Sequence, residues 1–234
     1  MRTLVVLPAH NEARSLPGVL LELRSTIPKV DCLVVDDASS DDTTRVMDAS
    51  AVASLRLCVR LGVGGAMRAG FRYARARGYD RVARFDADGQ HRASDLAALL
   101  APLSLGADAV IGSRYHGQGG WRPHARLRVL QRMLAWLVSA VGQTRITDPT
   151  SGLAAFGPRA VALLAERHPT GYSEPELILL LRRHGLRVVE VPVVMRPRSY
   201  GRSSLTPARI ALALWRVLFA IALVPLRAAD RPRP

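Results

Sequence analysis

Asp86-Ala-Asp88 places two carboxylates one residue apart, directly after an apolar run that ends at Phe85. Oxygen ligands at that spacing suit a hard divalent cation, and Gln90 brings a further oxygen within reach. A cation there would bridge two phosphates and offset the charge of a departing diphosphate. Two solvated turn residues would look alike in isolation, so the flanking Gly89-Gln-His91 carries much of the weight. Asp36-Asp37 closes a second apolar run, where a carboxylate can accept hydrogen bonds from a base or a ribose; a helix-capping cluster is the plainer reading, with Asp41 or Asp42 as the cap. Gly62-Val-Gly-Gly65 has the look of a phosphate cradle but matches neither the Walker spacing nor the dinucleotide fingerprint, because position 67 is Met.

The elements that must hold these groups alternate between strand and helix over the first hundred residues. Strands are expected at Thr3–Pro8, Cys32–Asp36, Leu55–Val59, Arg81–Phe85 and Ala109–Ile111. Helices are expected at Glu12–Ser25 with Asn11 as its cap, from Thr43 to about Ser50, at Ala66–Arg77 and at Ala93–Pro102. Repeated units of this kind make a mostly parallel α/β sheet covered on both faces. Ligands bind outside the carboxyl ends of such strands. Four polar segments therefore meet on one rim: Pro8–Glu12, Asp36–Asp41, the Gly62 turn and Asp86–Gln90. Further on, the pattern predicts a basic amphipathic helix at about Pro123–Val141 and a short helix after Gly152. A helix near Glu174–His184, a strand at Leu186–Val191 and an apolar element from Thr206 to about Leu226 follow. Trp136, Leu134, Leu137 and Val138 read as the core face of the basic helix, His168 and His184 as surface residues, and Glu174 and Glu176 as helix-start carboxylates.

Seven stretches recur in family order between residues 4 and 204: Leu7-Pro-Ala-His-Asn-Glu12, Val35-Asp-Asp-Ala-Ser-Ser-Asp41, Gly62-Val-Gly-Gly-Ala-Met-Arg68, Phe85-Asp-Ala-Asp-Gly-Gln-His91, Gly112-Ser-Arg114, Asp148-Pro-Thr-Ser-Gly152 and Arg198-Ser-Tyr-Gly-Arg-Ser203. Through them the chain resembles family 2 glycosyltransferases of the GT-A fold, and within these the polyprenyl-phosphate (dolichol-phosphate) mannosyl- and glucosyltransferases. The resemblance implies an inverting hexosyltransferase that uses Mg2+ or Mn2+ and a UDP-hexose or GDP-mannose donor. Pro8, Ala9, Asn11, Glu12, Asp37, Gly65, Asp86 and Ala87 would bind the nucleotide sugar. Asp86, Asp88 and Gln90 would form the metal set. Arg114, Arg128 and Arg132 would meet the acceptor phosphate, and Arg198 and Ser203 would close over the diphosphate. Asp86, Asp88, Arg114 and Asp148 would be the catalytic group. A phosphate acceptor is already an anion and needs no strong base. A glycan hydroxyl would need one, and Asp148 is then the candidate, with an Asp-Pro turn as its other reading. The sequence departs from the family at Arg60, Val63 and Gly201-Arg-Ser-Ser204, which shifts positive charge around the phosphates.

The chain has 234 residues and a net charge of +14, and Lys29 is its one lysine. That excess of arginine suits an anionic membrane surface, a nucleic acid, or only the habits of a GC-rich genome. Aromatics make up 5% of the chain and do not interleave with arginine, which argues against nucleic acid. A non-catalytic nucleotide-sugar-binding protein is the reading from another class, and the retained Asp86, Asp88 and Gln90 weigh against it. Cys32 and Cys58 read as small buried hydrophobes of a reducing compartment. No signal peptide is expected at the N-terminus, and the expected site is the cytoplasmic face of the membrane. The run Ile210–Leu226 is apolar except for Arg216 and shorter than the ~20 residues that span a bilayer. It reads as an interfacial helix, a core or homo-oligomer helix, or a span; a separate membrane protein is a further expected partner. The expected organisation is a catalytic domain at 1–204, an apolar helix at 205–227 and a disordered tail at 228–234.

Overall fold

The structure is a computed structural model that describes residues 1–115, 125–169 and 173–197 and positions 208, 210–212, 214 and 215. Seven strands form one sheet in the order β3-β2-β1-β4-β6-β5-β7. They are β1 (Thr3–Ala9), β2 (Asp31–Asp36), β3 (Ala53–Arg56), β4 (Arg81–Arg84), β5 (Ala109–Ser113), β6 (Ala154–Phe156) and β7 (Val188–Pro192). Every pairing is parallel except those of β6, which runs antiparallel to both β4 and β5. Seven helices are described: α1 (Leu16–Thr26), α2 (Thr43–Ala49), α3 (Gly62–Ala76), α4 (Ala93–Ser104), α5 (Ala125–Gly142), α6 (Pro158–Arg167) and α7 (Ser173–Arg183).

The sheet is covered on both sides, as its apolar strands require. Alternate residues of β1 divide between two cores. Leu4 and Val6 join Met67 and Phe71 of α3, Leu134 and Val138 of α5 and Leu177 and Leu181 of α7. Val5 and Leu7 join Leu16, Leu20 and Leu23 of α1 and Leu96 and Leu99 of α4. Each such side chain contributes about 1.5–3 kcal/mol on leaving water.

Several expectations are corrected. Asn11 does not cap a helix at Glu12. It adopts a left-handed conformation (φ 58°), its side-chain oxygen accepts from the Ser40 N–H at 2.8 Å, and α1 begins only at Leu16. The glycine-rich turn is itself the first turn of α3, which starts at Gly62 rather than Ala66. β6 was not anticipated: three apolar residues carry no period, and both their faces are buried. Cys58 is exposed and Cys32 only half-buried, although burial pushes the Cys32 thiol up to about 11. His168 is buried, its ring against Phe71, and burial lowers its pKa to about 4. Trp136 is 72% exposed and lies away from the core face formed by Leu134, Leu137 and Val138.

Among the described residues no helix is long and apolar enough to cross a membrane. In the C-terminal segment Ile210 is fully buried in the α3–α5–α7 core with Leu214 packed against it, while Leu212 and Trp215 are exposed. The expected limits at 204 and 227 lie outside the described residues.

Candidate active site

The carboxyl ends of β1, β2 and β3 bring the first three polar segments together. The Asp37 N–H donates to Ala9 O at 2.8 Å, and His10 Nδ1 lies 2.9 Å from Asp37 O. The Asp37 carboxylate accepts the backbone N–H of Leu61 at 2.7 Å and of Gly62 at 2.8 Å. It caps α3, whose positive amino end favours the charge. The role expected of it at a base or ribose is thus added to a structural one. Glu12 holds the loop from the other side: its backbone N–H donates to Thr43 Oγ1, and its carboxylate accepts from Ser15 Oγ at 2.6 Å. Pro8, Ala9 and Ala87 are buried. Gly65 sits buried in the first turn of α3, where an added Cβ would lie 2.3 Å from Leu61 Cβ.

Beyond β4 the two candidate carboxylates differ sharply. Asp88 is nearly buried, and its Oδ1 accepts the Gln90 N–H at 3.0 Å. Asp86 keeps 27% of its side chain exposed, yet it is paired. Arg84 Nε donates to its Oδ1 at 3.0 Å, and Arg84 Nη1 reaches Glu174 Oε1 at 2.6 Å. Burial resists the Asp86 charge, but the Arg84 guanidinium overrides it and holds the carboxyl well below the usual range. His91 Nε2, buried without a hydrogen bond, lies 3.8 Å from Asp86 Oδ2. Among the described residues no three His, Cys, Asp or Glu side chains cluster as metal ligands. Gln90 Nε2 donates to Arg196 O at 3.3 Å, and the Arg196 N–H donates to Gln90 O at 2.8 Å. Arg196 in turn pairs with Glu22 at 2.7 and 3.0 Å, which fastens the chain after β7 across the Asp88–Gln90 loop.

On the far side, Arg114 and Asp148 form a buried pair. Arg114 Nε and Nη2 donate to the two Asp148 oxygens at 2.6 and 2.7 Å, and the Arg114 N–H adds a third bond at 3.1 Å. Burial alone would raise the Asp148 carboxyl, but Arg114 overrides it and holds it low. Glu190 of β7 holds this loop by accepting from the N–H groups of Thr147 and Asp148 at 2.8 Å. This geometry tells against Asp148 as a general base: the group is fully buried, and a guanidinium occupies both its oxygens. Beside it Tyr115, Arg128, Gln131, Arg132 and Thr147 line a cleft of about 330 Å3. Tyr115 Oη bonds Gln131 Oε1 across it. Arg198 and Ser203 lie outside the described residues.

Three groups at the rim had no assigned role. Arg84 ends β4 between the buried Ala83 and Phe85, and a cation between buried apolar neighbours was the available signal of a buried ion pair. Glu174 meets it only through the fold. Gly152 matters for closeness: an added Cβ would fall 1.9 Å from Asp86 Oδ2. Gly152→Ala is therefore expected to displace Asp86 and lower kcat by about 100-fold, the scale of a 1 Å misplacement at a reacting centre. Steady-state kinetics beside circular dichroism checks it, and near-normal kcat would show that Asp86 tolerates the shift.

A loop rim of this kind on a mixed sheet occurs in solved structures. The chain is similar to glucosyl-3-phosphoglycerate synthase from Mycobacterium tuberculosis in complex with phosphoglyceric acid, with a TM-score of 0.73 at 22% identity over 94% of this chain and 79% of that one. The GT-A fold expected from the motifs is thus the fold of the chain. In sequence it is similar to undecaprenyl-phosphate mannosyltransferase of Micrococcus luteus, 35% identical with 93% of each chain covered. It is also similar to polyprenol monophosphomannose synthase of Mycolicibacterium smegmatis, 33% identical over 92% of this chain and 85% of that one. The family model for glycosyl transferase family 2 matches residues 4–161, a stretch that runs from β1 through Asp86, Arg114 and Asp148 into α6. With its motifs on the strand ends where such an enzyme would need them, the chain belongs to glycosyltransferase family 2.

Proposed function

We propose that the enzyme transfers a hexose, with inversion, from a UDP-hexose or GDP-mannose donor to a polyprenyl phosphate at the inner face of the cell membrane. The observation that carries this reading is the state of the acceptor side. Asp148 is locked to Arg114, whereas Arg128 and Arg132 line an open cleft beside it. A hydroxyl acceptor would need a base there; a phosphate brings its own charge and needs cations. The names of the two sequence relatives, a mannosyltransferase acting on undecaprenyl phosphate and a polyprenol monophosphomannose synthase, support the same acceptor class.

The oxygen donors of Asp88 and Gln90 fit a hard divalent cation, Mg2+ or Mn2+. The glucosyl-3-phosphoglycerate synthase of Mycobacterium tuberculosis in complex with Mn2+ and UDP-glucose supports that choice. Such a cation would offset the charge of the departing diphosphate. The residues of this chain then divide the work: Asp37 and the α3 amino end shape the nucleotide side, Asp86 faces the donor, and Arg114 stands between the two phosphates. Residues 198–203 are proposed to close over them, and 1–204 to be the catalytic unit.

A lipid-linked acceptor also needs a route from the bilayer. On α5, Val129, Met133 and Trp136 are 57%, 53% and 72% exposed at helical spacing, beside the exposed Arg128 and Arg132. Apolar side chains next to arginines suit the interface of an anionic bilayer. The expectation of membrane contact, placed at the C-terminal segment from the sequence, thus gains a described second element.

The test is transfer from GDP-mannose or UDP-glucose to a short polyprenyl phosphate, with Arg128→Glu/Arg132→Glu beside wild type. The double variant is expected to lose about 100-fold in kcat/KM for the lipid while keeping donor binding, since two charge-assisted phosphate contacts are lost. Lipid transfer unchanged in the variant would move the acceptor elsewhere. Transfer to a soluble glycan but not to the lipid would favour a hydroxyl acceptor.

A further inference from the structure

Arg84 stands where a metal-binding carboxylate would least tolerate a cation. It is buried in β4, and its guanidinium covers Asp86 with Nε 3.0 Å from Oδ1 and Nη2 3.5 Å from Oδ2. Its third nitrogen is held by Glu174 at 2.6 Å, at the amino end of α7. Arginine keeps its charge in proteins, so a cation lies between the two carboxylates. Gly152 closes another side of Asp86, because no Cβ fits there. The Asp86 carboxylate is thus fixed in place and its charge compensated. A guanidinium in contact with both oxygens competes with a divalent cation for the same lone pairs and repels it. The remaining lone pairs still accept hydrogen bonds from neutral hydroxyl groups.

We propose that Arg84, anchored by Glu174, is a positioning residue that holds Asp86 as a hydrogen-bond acceptor for hydroxyl groups of the donor and confines the divalent cation to Asp88 and Gln90. The inference rests on the nucleotide-sugar reading above and deepens it. The resemblance sets Asp86 beside the donor as well as in the metal set; the pair with Arg84 favours the first of these places, and it makes α7 part of the donor site, because Glu174 keeps Arg84 from swinging away.

The test compares Arg84→Gln, Arg84→Lys and Glu174→Gln with wild type in the full chain. Mn2+ alone is titrated by electron paramagnetic resonance, and GDP-mannose and UDP-glucose binding is followed by calorimetry. Arg84→Gln is expected to bind Mn2+ about tenfold tighter, since a positive neighbour is gone and a second carboxylate becomes available. The same variant is expected to bind the donor about tenfold more weakly, the scale set by losing an orienting partner. Arg84→Lys keeps the charge without the fork, so it should retain wild-type Mn2+ affinity while losing part of the donor affinity. Glu174→Gln leaves the guanidinium but not its anchor, and should weaken donor binding with Mn2+ affinity unchanged. A merely structural role would lower the melting temperature without tightening Mn2+. The inference is overturned if Arg84→Gln binds Mn2+ no tighter than wild type. Should that variant not fold, unchanged donor affinity in Glu174→Gln overturns it instead. A wild-type chain that binds neither nucleotide sugar defeats the functional reading, and the Mn2+ comparison still decides the place of Arg84.

Discussion

Asp88→Ala is expected to abolish transfer, lowering kcat by about a thousandfold or more, the scale of removing a group that acts on developing charge in a closed site. The reason lies in the contrast with Asp86. Both carboxylates follow β4 within four residues, but Arg84 compensates the first, while the Asp88 Oδ1 accepts a neutral backbone N–H in a turn with Gln90. The guanidinium held against Asp86 repels a hard cation there, and the oxygen donors of Asp88 and Gln90 suit one. Gln90, proposed above as the second oxygen ligand, is held in turn by Arg196. Donor binding to Asp88→Ala should lose its dependence on Mg2+ or Mn2+, while circular dichroism stays as in wild type. Transfer within tenfold of wild type would mean that the leaving diphosphate is stabilised without Asp88, and the arginines would then have to carry that task.

Asp148→Ala should destabilise the protein by about 3–5 kcal/mol, because it leaves Arg114 charged and buried without its partner. For a chain of this size the melting temperature would fall by about 10 °C. Both members of the pair are almost wholly out of water, and three hydrogen bonds join them. The pH dependence has a definite sign. The folded-state pKa of Asp148 lies below its ordinary value, so its contribution is complete above about pH 4 and is lost as pH falls through the folded value. Scanning calorimetry from neutral to acid pH on wild type and Asp148→Asn checks both statements: the variant should melt lower at neutral pH, and the gap should narrow in acid. A melting temperature close to wild type for Asp148→Ala would mean that Arg114 finds another partner. Loss of activity without loss of stability would restore Asp148 to a direct chemical role.

The sequence was legible where a local rule had no competitor. Buried parallel strands need continuous apolar runs, so β1, β2 and β5 stood out, and the polar carboxyl ends of the first strands located the rim. Boundaries failed where tertiary contacts overrode local preference. Asn11 looked like a helix cap, but Ser40, 29 residues away, took its side chain. Gly62 looked like the middle of a loop, but Asp37 supplied the cap that lets α3 begin there. Trp136 looked like core because its neighbours were apolar, yet its side of α5 faces outward, an exposed band that helical period alone could not separate from the buried one.

What the residues determined by themselves was the family, the α/β class and the shortlist of Asp86, Asp88, Asp148, Arg114, Arg128 and Arg132. Those depend on residue type and on spacing along the chain, which the sequence states outright. Only the tertiary structure decided which of these charges are paired. Glu174 reaches Arg84 across 90 positions, and Asp148 reaches Arg114 across 34. Whether a carboxylate holds a cation, accepts a proton or anchors an arginine depends on what lies within about 4 Å of it, because electrostatic and hydrogen-bond energies are set by distance in space and by burial. Position in the chain carries neither.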